Sequence, residues 1–154
     1  MYYNFPMELP VLSVLTSIEK ELPYKLYGAG HDYQQLEIDR PFGFPVYQMI
    51  LCKEGHGTLN VHDHEFQVYP GMAIVLFPDE NHAYYPKSDS WVVSWISFGG
   101  YHLKDLLGKM NIKESGVFDV ENPERIDSKV RQAVSLLAEQ STASRLESSV
   151  LGYS

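Results

Sequence analysis

Residues 46–77 read VYQMILCKEGHGTLNVHDHEFQVYPGMAIVLF, and this stretch decides the fold. Runs of β-branched, aromatic and other apolar residues alternate in it with turn residues, a pattern typical of strands joined by tight turns. His62-Asp63-His64 predicts a hairpin turn, although the usual Asn-Gly pair is missing, and Pro70-Gly71 predicts a sharp turn. The predicted strands are 46–53, 58–61, 65–69 and 72–77, and the last is apolar throughout, which indicates burial.

The same pattern extends outward as far as residue 100. Further strands are predicted at 33–38 and 91–98, and the second ends at Gly99-Gly100. Many short strands with regular turns are typical of sandwiches and barrels. Gly28-Ala29-Gly30 and Gly55-His56-Gly57 do not continue into a helix as phosphate-binding loops do, so we interpret both as turns.

Composition divides the chain into three parts. Residues 1–23 contain three prolines and predict an irregular arm, because proline removes a hydrogen-bond donor and restricts the residue before it. Residues 24–100 carry the predicted strands. Residues 101–154 are richer in Leu, Ser, Glu and Lys and predict helices. We therefore expect a mainly β domain with C-terminal helices.

Two helices are predicted in the last part, and a further one is predicted to start near Leu146 after an interruption. One covers residues 101–110, and Asn122-Pro123-Glu124 begins the other, because Asn caps a helix and Pro suits the first helical position. Ser141-Thr142-Ala143-Ser144 predicts an interruption of that helix. Before it, apolar residues at helical spacing form one stripe, namely Ile126, Val130, Val134 and Leu137.

Length and charge exclude several classes of protein. The chain has 154 residues, 12 Lys and Arg against 20 Asp and Glu, and a formal net charge of −8. Binding to a phosphate backbone draws on clustered Lys and Arg, so this segment is not expected to bind nucleic acid by itself. Cys52 is the single cysteine, which excludes an internal disulfide and fits a reducing cytoplasm. The longest purely apolar run, residues 72–77, is too short to span a membrane.

Three histidines are candidate metal ligands. Imidazole nitrogens of His62 and His64 suit Zn, Fe, Mn or Ni, but at a predicted hairpin tip they would point to solvent, and exposed turn histidines are the favoured interpretation. His82 follows a predicted loop and precedes a strand. A hydrogen-bonded structural role is favoured for it, and a polar contact to a bound small molecule is the alternative.

Aromatic residues are frequent on the predicted strands. Alternation along strand 91–98 places Trp91, Val93 and Trp95 on one face. Core packing explains most of these residues, but a barrel interior lined by Trp and Tyr, with an arginine at a strand end, also suits a sugar. Arg40 is the candidate arginine, and a surface ion pair is its alternative role.

Several short motifs occur together in one order. In that order and spacing they resemble the N-terminal domain of AraC-type transcriptional regulators, over about residues 24–100, and over the helical remainder by order and length only. The motifs are Ile38-Asp39-Arg40-Pro41-Phe42-Gly43, Gly55-His56-Gly57, Glu65-Phe66, Pro70-Gly71, Leu76-Phe77-Pro78, His82, Tyr84 and Trp91-x-x-x-Trp95-Ile96-x-Phe98.

The resemblance implies a cupin-like barrel, that is, a double-stranded β-helix or jelly roll, which binds a small effector that is often a sugar. It also implies a helical segment after the barrel that forms a homodimer. In that family a separate C-terminal domain with two helix-turn-helix motifs binds DNA, and this chain would be the regulatory part of such a regulator. Residues 1–10 would then correspond to an arm that closes over the effector.

The resemblance also implies ligand-binding residues. Arg40 matches the arginine that binds sugar hydroxyls, Tyr84 a pocket tyrosine, and Trp95 the tryptophan that stacks on the sugar. His82 is a further polar contact. Val93 stands where arabinose-responsive members have a sugar-binding histidine, so arabinose itself is not the expected effector. Phe42 and Phe44 replace smaller or more flexible residues and are expected to reshape the cavity mouth.

Metal and cofactor binding are not expected. Metal-dependent cupins carry His-x-His before the strand that ends in the Gly-x-Gly turn, and the matching residues 40–44 contain no histidine. His62 and His64 come after that turn, and one imidazole at His82 does not hold a metal.

Together with this resemblance, the sequence predicts a non-enzymatic, cytoplasmic effector-sensing and dimerisation domain that responds to a carbohydrate. A metal-dependent cupin enzyme, of the sugar isomerase or dioxygenase type, is one alternative. A dimerisation module whose barrel is filled by its own side chains is another.

Overall fold

The computed structural model describes residues 2–4 and 25–150, with side chains from 25 to 139. The predicted mainly β fold class is confirmed, and the described residues contain two helices. The strands are β1 (Tyr2–Asn4), β2 (Lys25–Gln34), β3 (Ile38–Arg40), β4 (Tyr47–Glu54), β5 (Gly57–Val61), β6 (His64–Val68), β7 (Met72–Leu76), β8 (His82–Pro86), β9 (Val92–Gly99) and β10 (Gly116–Asp119). The helices are α1 (Leu103–Lys109) and α2 (Pro123–Val150).

The strands form two sheets. The larger has six strands in the order β1-β10-β7-β4-β9-β2, and the smaller has four in the order β3-β8-β5-β6. All pairs are antiparallel except β1 with β10. No pairing between described strands joins the two sheets, so the barrel is not closed.

The larger sheet separates two apolar clusters. Its outer face packs against both helices, and the contact includes Met49 and Ile96 of the sheet and Ile126 of α2. Its inner face packs toward the smaller sheet through residues such as Ile50 and Val93. Because neighbouring side chains of a strand point to opposite faces, β4 and β9 contribute to both clusters. The larger sheet is therefore a wall shared by the space between the sheets and the helices.

The predicted hairpin at His62-Asp63 is confirmed. Both residues have positive φ, of 52° and 59°, and β5 pairs with β6 on either side of them. Two positive φ values in a two-residue loop define a type I′ turn, whose twist matches that of the strands. His62 and Asp63 therefore adopt here the backbone conformation that an Asn-Gly pair usually supplies.

Four sequence predictions need correction. The sequence predicts only helices after residue 100, yet β10 joins the larger sheet beside β7. The single strand predicted at 33–38 is wrong, since β2 ends at Gln34 and β3 begins at Ile38. Gly28-Ala29-Gly30 is not a turn but lies inside β2. The interruption predicted at 141–144 is also wrong, because α2 continues through those residues.

Two expectations concern the start of the chain. The irregular arm is predicted at residues 1–23, and residues 1–10 of it are expected to close over the effector. Of this arm the structure describes only residues 2–4, which form β1, and the rest lies outside the described residues. Neither helix in the described part of the chain is long and apolar enough to cross a membrane.

Candidate ligand-binding site

A cavity of about 650 Å³ opens between the two sheets. Strands β2, β4 and β9 of the larger sheet form one wall, and β3 and β8 of the smaller sheet form the other. The volume falls within the range typical of small-molecule sites, and apolar or aromatic side chains form most of its surface. The lining residues are Tyr27, Gly28, Tyr33, Gln35, Ile38, Arg40, Phe44, Pro45, Val46, Gln48, Ile50, Tyr84, Trp95 and Ser97.

Arg40 is the cationic residue of this lining. Its Nη1 donates to Gln48 Oε1 at 2.6 Å and lies 3.3 Å from His82 Nε2. The guanidinium also lies over the Phe44 ring, 4.5 Å from its centroid. Arg40 forms no ion pair with a carboxylate in the described part of the chain, so the predicted surface ion pair is not the arrangement found.

His82 lies behind Arg40 rather than on the cavity surface. Its side chain is 1% exposed, and its Nδ1 lies 2.9 Å from the carbonyl oxygen of Glu80. Because a carbonyl can only accept, Nδ1 carries the proton of the neutral ring and Nε2 faces Arg40 as an acceptor. Burial lowers the pKa of His82, which keeps the ring neutral near pH 7.

Trp95 lines the cavity and leans on two glycines of β2. A Cβ on Gly30 would lie 2.4 Å from Trp95 Nε1, and a Cβ on Gly28 would lie 3.2 Å from Trp95 Cζ3. The glycines that the sequence suggests as a turn therefore provide room for the indole. Because neither glycine has a side chain, the indole packs directly against the β2 backbone and forms a flat wall of the cavity.

Tyr84 closes the cavity from the smaller sheet. It stacks on the His82 ring, with centroids 5.9 Å apart, and meets Trp91 edge to face. Burial raises the pKa of its hydroxyl. The phenol therefore stays protonated near neutral pH and keeps both a donor and an acceptor.

The structure brings Arg40, Tyr84 and Trp95 together in one cavity. Val93 does not line it, because this residue is fully buried in the apolar cluster between the sheets. Phe44 lines the cavity as expected at its mouth, but Phe42 is 89% exposed on the turn after β3 and does not.

Three polar, non-aromatic residues of the lining are not expected from the sequence. Gln48 on β4 and Ser97 on β9 are paired across the strands, and Gln48 Nε2 donates to Ser97 Oγ at 3.0 Å. Gln35 follows β2 and donates to the carbonyl oxygen of Leu36. A polar residue in an otherwise apolar strand is a weak signal for such a site, and only Gln48 within the run YQMIL shows it clearly.

The histidines of the β5–β6 hairpin lie away from the cavity. His62 Nε2 contacts the Glu80 carboxylate at 2.5 Å, and His64 lies at the exposed start of β6. The described part of the chain contains no group of three or more His, Cys, Asp or Glu side chains that could hold a metal ion.

A charged cluster joins α2 to the outer face of the larger sheet. Asp127 accepts from Ser94 and pairs with Lys53 Nζ at 2.9 Å. Asp32 pairs with Lys53 and with Arg131 Nη2, the second at 2.9 Å. Burial alone would lower the pKa of Lys53, but its bonds to the two carboxylates outweigh burial and raise it. This cluster fixes the start of α2 against three strands.

A known sequence family covers most of the chain. The family described as the AraC-like ligand binding domain matches residues 23–154. The chain belongs to this family. The description of this family makes the chain a ligand-binding domain. No curated protein sequence gives a significant match.

Solved structures support the fold. ToxT from Vibrio cholerae O395, bound to (E)-4-(8-methylnaphthalen-1-yl)but-3-enoic acid, matches at a TM-score of 0.50 and 14% identity, over 75% of this chain and 48% of ToxT. Another ToxT structure from Vibrio cholerae matches at a TM-score of 0.48 and 15% identity, over 73% and 47% of the two chains. This AraC-like chain thus spans about half the length of the ToxT chains.

A more distant match is a cupin superfamily protein. It comes from Desulfitobacterium hafniense DCB-2 and has a TM-score of 0.35 and 15% identity, over 48% of this chain and 63% of that one. The two mainly antiparallel sheets of the chain itself confirm the predicted cupin-like architecture, although they do not close into a barrel.

Proposed function

We propose that this domain senses a small-molecule effector for a DNA-binding transcriptional regulator. The observation that carries the proposal is the cavity of about 650 Å³, which holds Arg40, Tyr84 and Trp95 within an AraC-like ligand binding domain. The role is binding and not catalysis. DNA binding belongs to a separate domain, and the regulator works in the cytoplasm.

A carbohydrate is the first candidate effector. The Trp95 indole offers a flat apolar face to the C–H side of a pyranose ring, while Arg40 and Tyr84 offer groups that bind hydroxyls. Aromatic walls with a few converging polar groups are typical of sites that orient one small molecule.

A carboxylic acid with a flat or apolar body is the second candidate. The observation that favours it is Arg40, which has no carboxylate partner in the described part of the chain and lies in a mostly apolar cavity. Arg40 is half-buried, and an anionic group of the effector would form charge-assisted hydrogen bonds with it inside the cavity. One ToxT structure holds an acid of this kind.

Calorimetry against neutral sugars and carboxylic acids tests the proposal. Arg40→Ala is expected to weaken a bound effector by about tenfold or more, since hydrogen bonds to charged groups contribute about 1.5–3 kcal/mol. Lys104→Ala is the matched control, because it removes one exposed cation from α1, away from the cavity. A ligand whose affinity is the same in Arg40→Ala and wild type would show that the cavity is not the site.

We also propose that the C-terminal helices form a homodimer. Leu136 and Leu137 on α2 are only partly buried, and they lie beyond the turns that pack on the sheet. Sedimentation equilibrium should give a dimer, and Leu137→Glu should shift it toward monomer. Gln132→Glu adds the same charge on an exposed position of α2 and should not.

The metal-dependent enzyme remains the alternative to test. Metal analysis of protein purified without chelators decides it. A transition metal bound in equimolar amount, and lost in a His62, His64 and His82 triple variant, would contradict the proposed binding role.

A further inference from the structure

Four polar side chains form a chain of contacts from one sheet to the other beside the cavity. Ser97 and Gln48 face each other across β9 and β4, and Arg40 and His82 face each other across β3 and β8. The link between the two pairs is the 2.6 Å hydrogen bond from Arg40 to Gln48. These contacts hold the guanidinium between the sheets.

The orientation of the Gln48 amide follows from its neighbours. The side chain is 6% exposed, and its Nε2 donates to Ser97 Oγ, which leaves Oε1 for Arg40. An arginine can only donate, so this is the orientation in which both contacts are favourable. Gln48 is thus fixed at both ends of its amide.

The second acceptor at Arg40 is also uncharged. His82 has its proton on Nδ1, facing the Glu80 carbonyl, so its Nε2 lone pair faces Arg40 Nη1 at 3.3 Å. Arg40 is therefore positioned by two neutral acceptors and by the faces of Phe44 and Tyr84. A carboxylate at either acceptor position would hold the guanidinium equally well but would cancel its charge.

We propose that Gln48 and His82 are positioning residues that hold Arg40 as an uncompensated cation, and that Gln48 sets the preference of the cavity for an effector with a carboxylate over its neutral analogue. The proposal rests on the proposed function, since it takes the cavity as the effector site. The shared chemistry is a carboxylate beside a flat face, which either a sugar acid or an aromatic acid supplies.

Two matched pairs of probes separate charge from shape. D-galacturonate and D-galactose differ at the carboxylate of one sugar ring, and 4-phenylbutyrate and 4-phenylbutan-1-ol differ at the end of one chain. In wild type we expect at least one acid to bind about tenfold or more tightly than its neutral partner. The pair that shows this preference identifies the source of the carboxylate.

Gln48→Glu is the decisive variant, because it keeps the size of the side chain and pairs with Arg40. It should bring the acid-to-neutral affinity ratio close to one. Gln132→Glu adds the same charge at an exposed position of α2 and should leave the ratio unchanged. Thermal melting of both variants confirms folding.

A second measurement needs no ligand. Gln48→Met removes the acceptor, and the heteronuclear NOE of the Arg40 Nε–H should fall as the side chain becomes mobile. An unchanged NOE would overturn the positioning role.

Three binding outcomes overturn the charge preference: an affinity ratio near one in wild type, a ratio that survives in Gln48→Glu, or no binding of either acid at 10 mM. Galactose that binds as tightly as galacturonate and is lost in Arg40→Ala would overturn this proposal but leave the proposed function intact. Binding that is insensitive to Arg40→Ala would instead refute the site itself.

Discussion

Gly30→Ala is the substitution that most directly tests the geometry of the cavity wall. The new Cβ would lie 2.4 Å from Trp95 Nε1 and 2.8 Å from Cε2. Non-bonded heavy atoms are normally separated by about 3.5–4.0 Å, so the indole must move by about 1 Å. Trp95 borders the cavity, and that is the direction in which it can move.

The expected change in stability is moderate. Overpacking typically destabilises by about 1–3 kcal/mol. Replacing glycine by alanine stabilises by about 0.4–1 kcal/mol, through the entropy of the unfolded chain, where the backbone conformation allows it. Gly30 is not among the glycines with positive φ, so this gain applies. The free energy of unfolding should therefore fall by about 0.5–2 kcal/mol.

Gly28→Ala is the matched control on the same strand. Its Cβ would lie 3.2 Å from Trp95 Cζ3, so a shift of a few tenths of an ångström accommodates it. We expect a change within about 0.5 kcal/mol and little effect on effector affinity. Urea denaturation followed by circular dichroism gives the free energies, and tryptophan emission reports movement of the indole.

Trp95→Ala provides the test that could refute this reasoning. With the indole removed, Gly30→Ala should become neutral or stabilising, by up to about 1 kcal/mol. If Gly30→Ala destabilises equally with and without the indole, the contact between Gly30 and Trp95 is not the cause. If Gly30→Ala is as stable as wild type and its emission is unchanged, Trp95 does not lie on Gly30.

Three further outcomes are expected. Gly57→Ala should destabilise more than Gly30→Ala, and chemical denaturation measures the difference. The new Cβ would lie 2.6 Å from three atoms of Trp91, and this ring is fully buried and does not border the cavity. Asp127→Asn should lower the free energy of unfolding at pH 7 by about 1–3 kcal/mol. Burial alone would raise the pKa of Asp127, but its hydrogen-bonded partners outweigh burial and lower it. The stability that the Asp127 carboxylate contributes is therefore present above the ordinary Asp pKa and is lost as pH falls. Equal stabilities of variant and wild type at pH 7 would contradict this prediction. Burial lowers the pKa of His82, so as pH falls below about 6.5 this histidine is protonated in the unfolded chain before it is protonated in the folded one. Wild type should therefore lose stability in this range, while His82→Asn does not. Melting at several pH values between 5 and 7.5 checks this.

Much of the fold could be predicted because its signals are local. The run from residue 46 to 77 alternates strands and turns, and the structure places β4 to β7 within a residue or two of the predicted bounds. Asn122 caps α2 as predicted, with its Oδ1 accepting from the Arg125 amide at 3.3 Å. Each of these features depends on residues that are close in sequence.

The errors arise where distant contacts decide the structure. β10 has only four residues, and it becomes a strand because β7 offers a free edge. The glycines at 28 and 30 resemble a turn, and only the indole across the sheet explains them. Gln48 gives only a weak signal as a polar residue in an apolar strand, because its partners Ser97 and Arg40 are 49 and 8 residues away.

An irregularity in β2 explains how the cavity and the helix share one wall. Gly30 pairs with Trp95 and Tyr33 with Val93, so β2 uses three steps where β9 uses two, and one residue is extra. Asp32, with a φ of 51°, lies in this bulge and points to Lys53 and Arg131 on the outer face. Since side chains alternate with a period of two, an unbulged strand would send Asp32 to the cavity and Tyr33 to the helix. The extra residue therefore places the Tyr33 ring in the cavity and the Asp32 carboxylate on the outer face, next to α2.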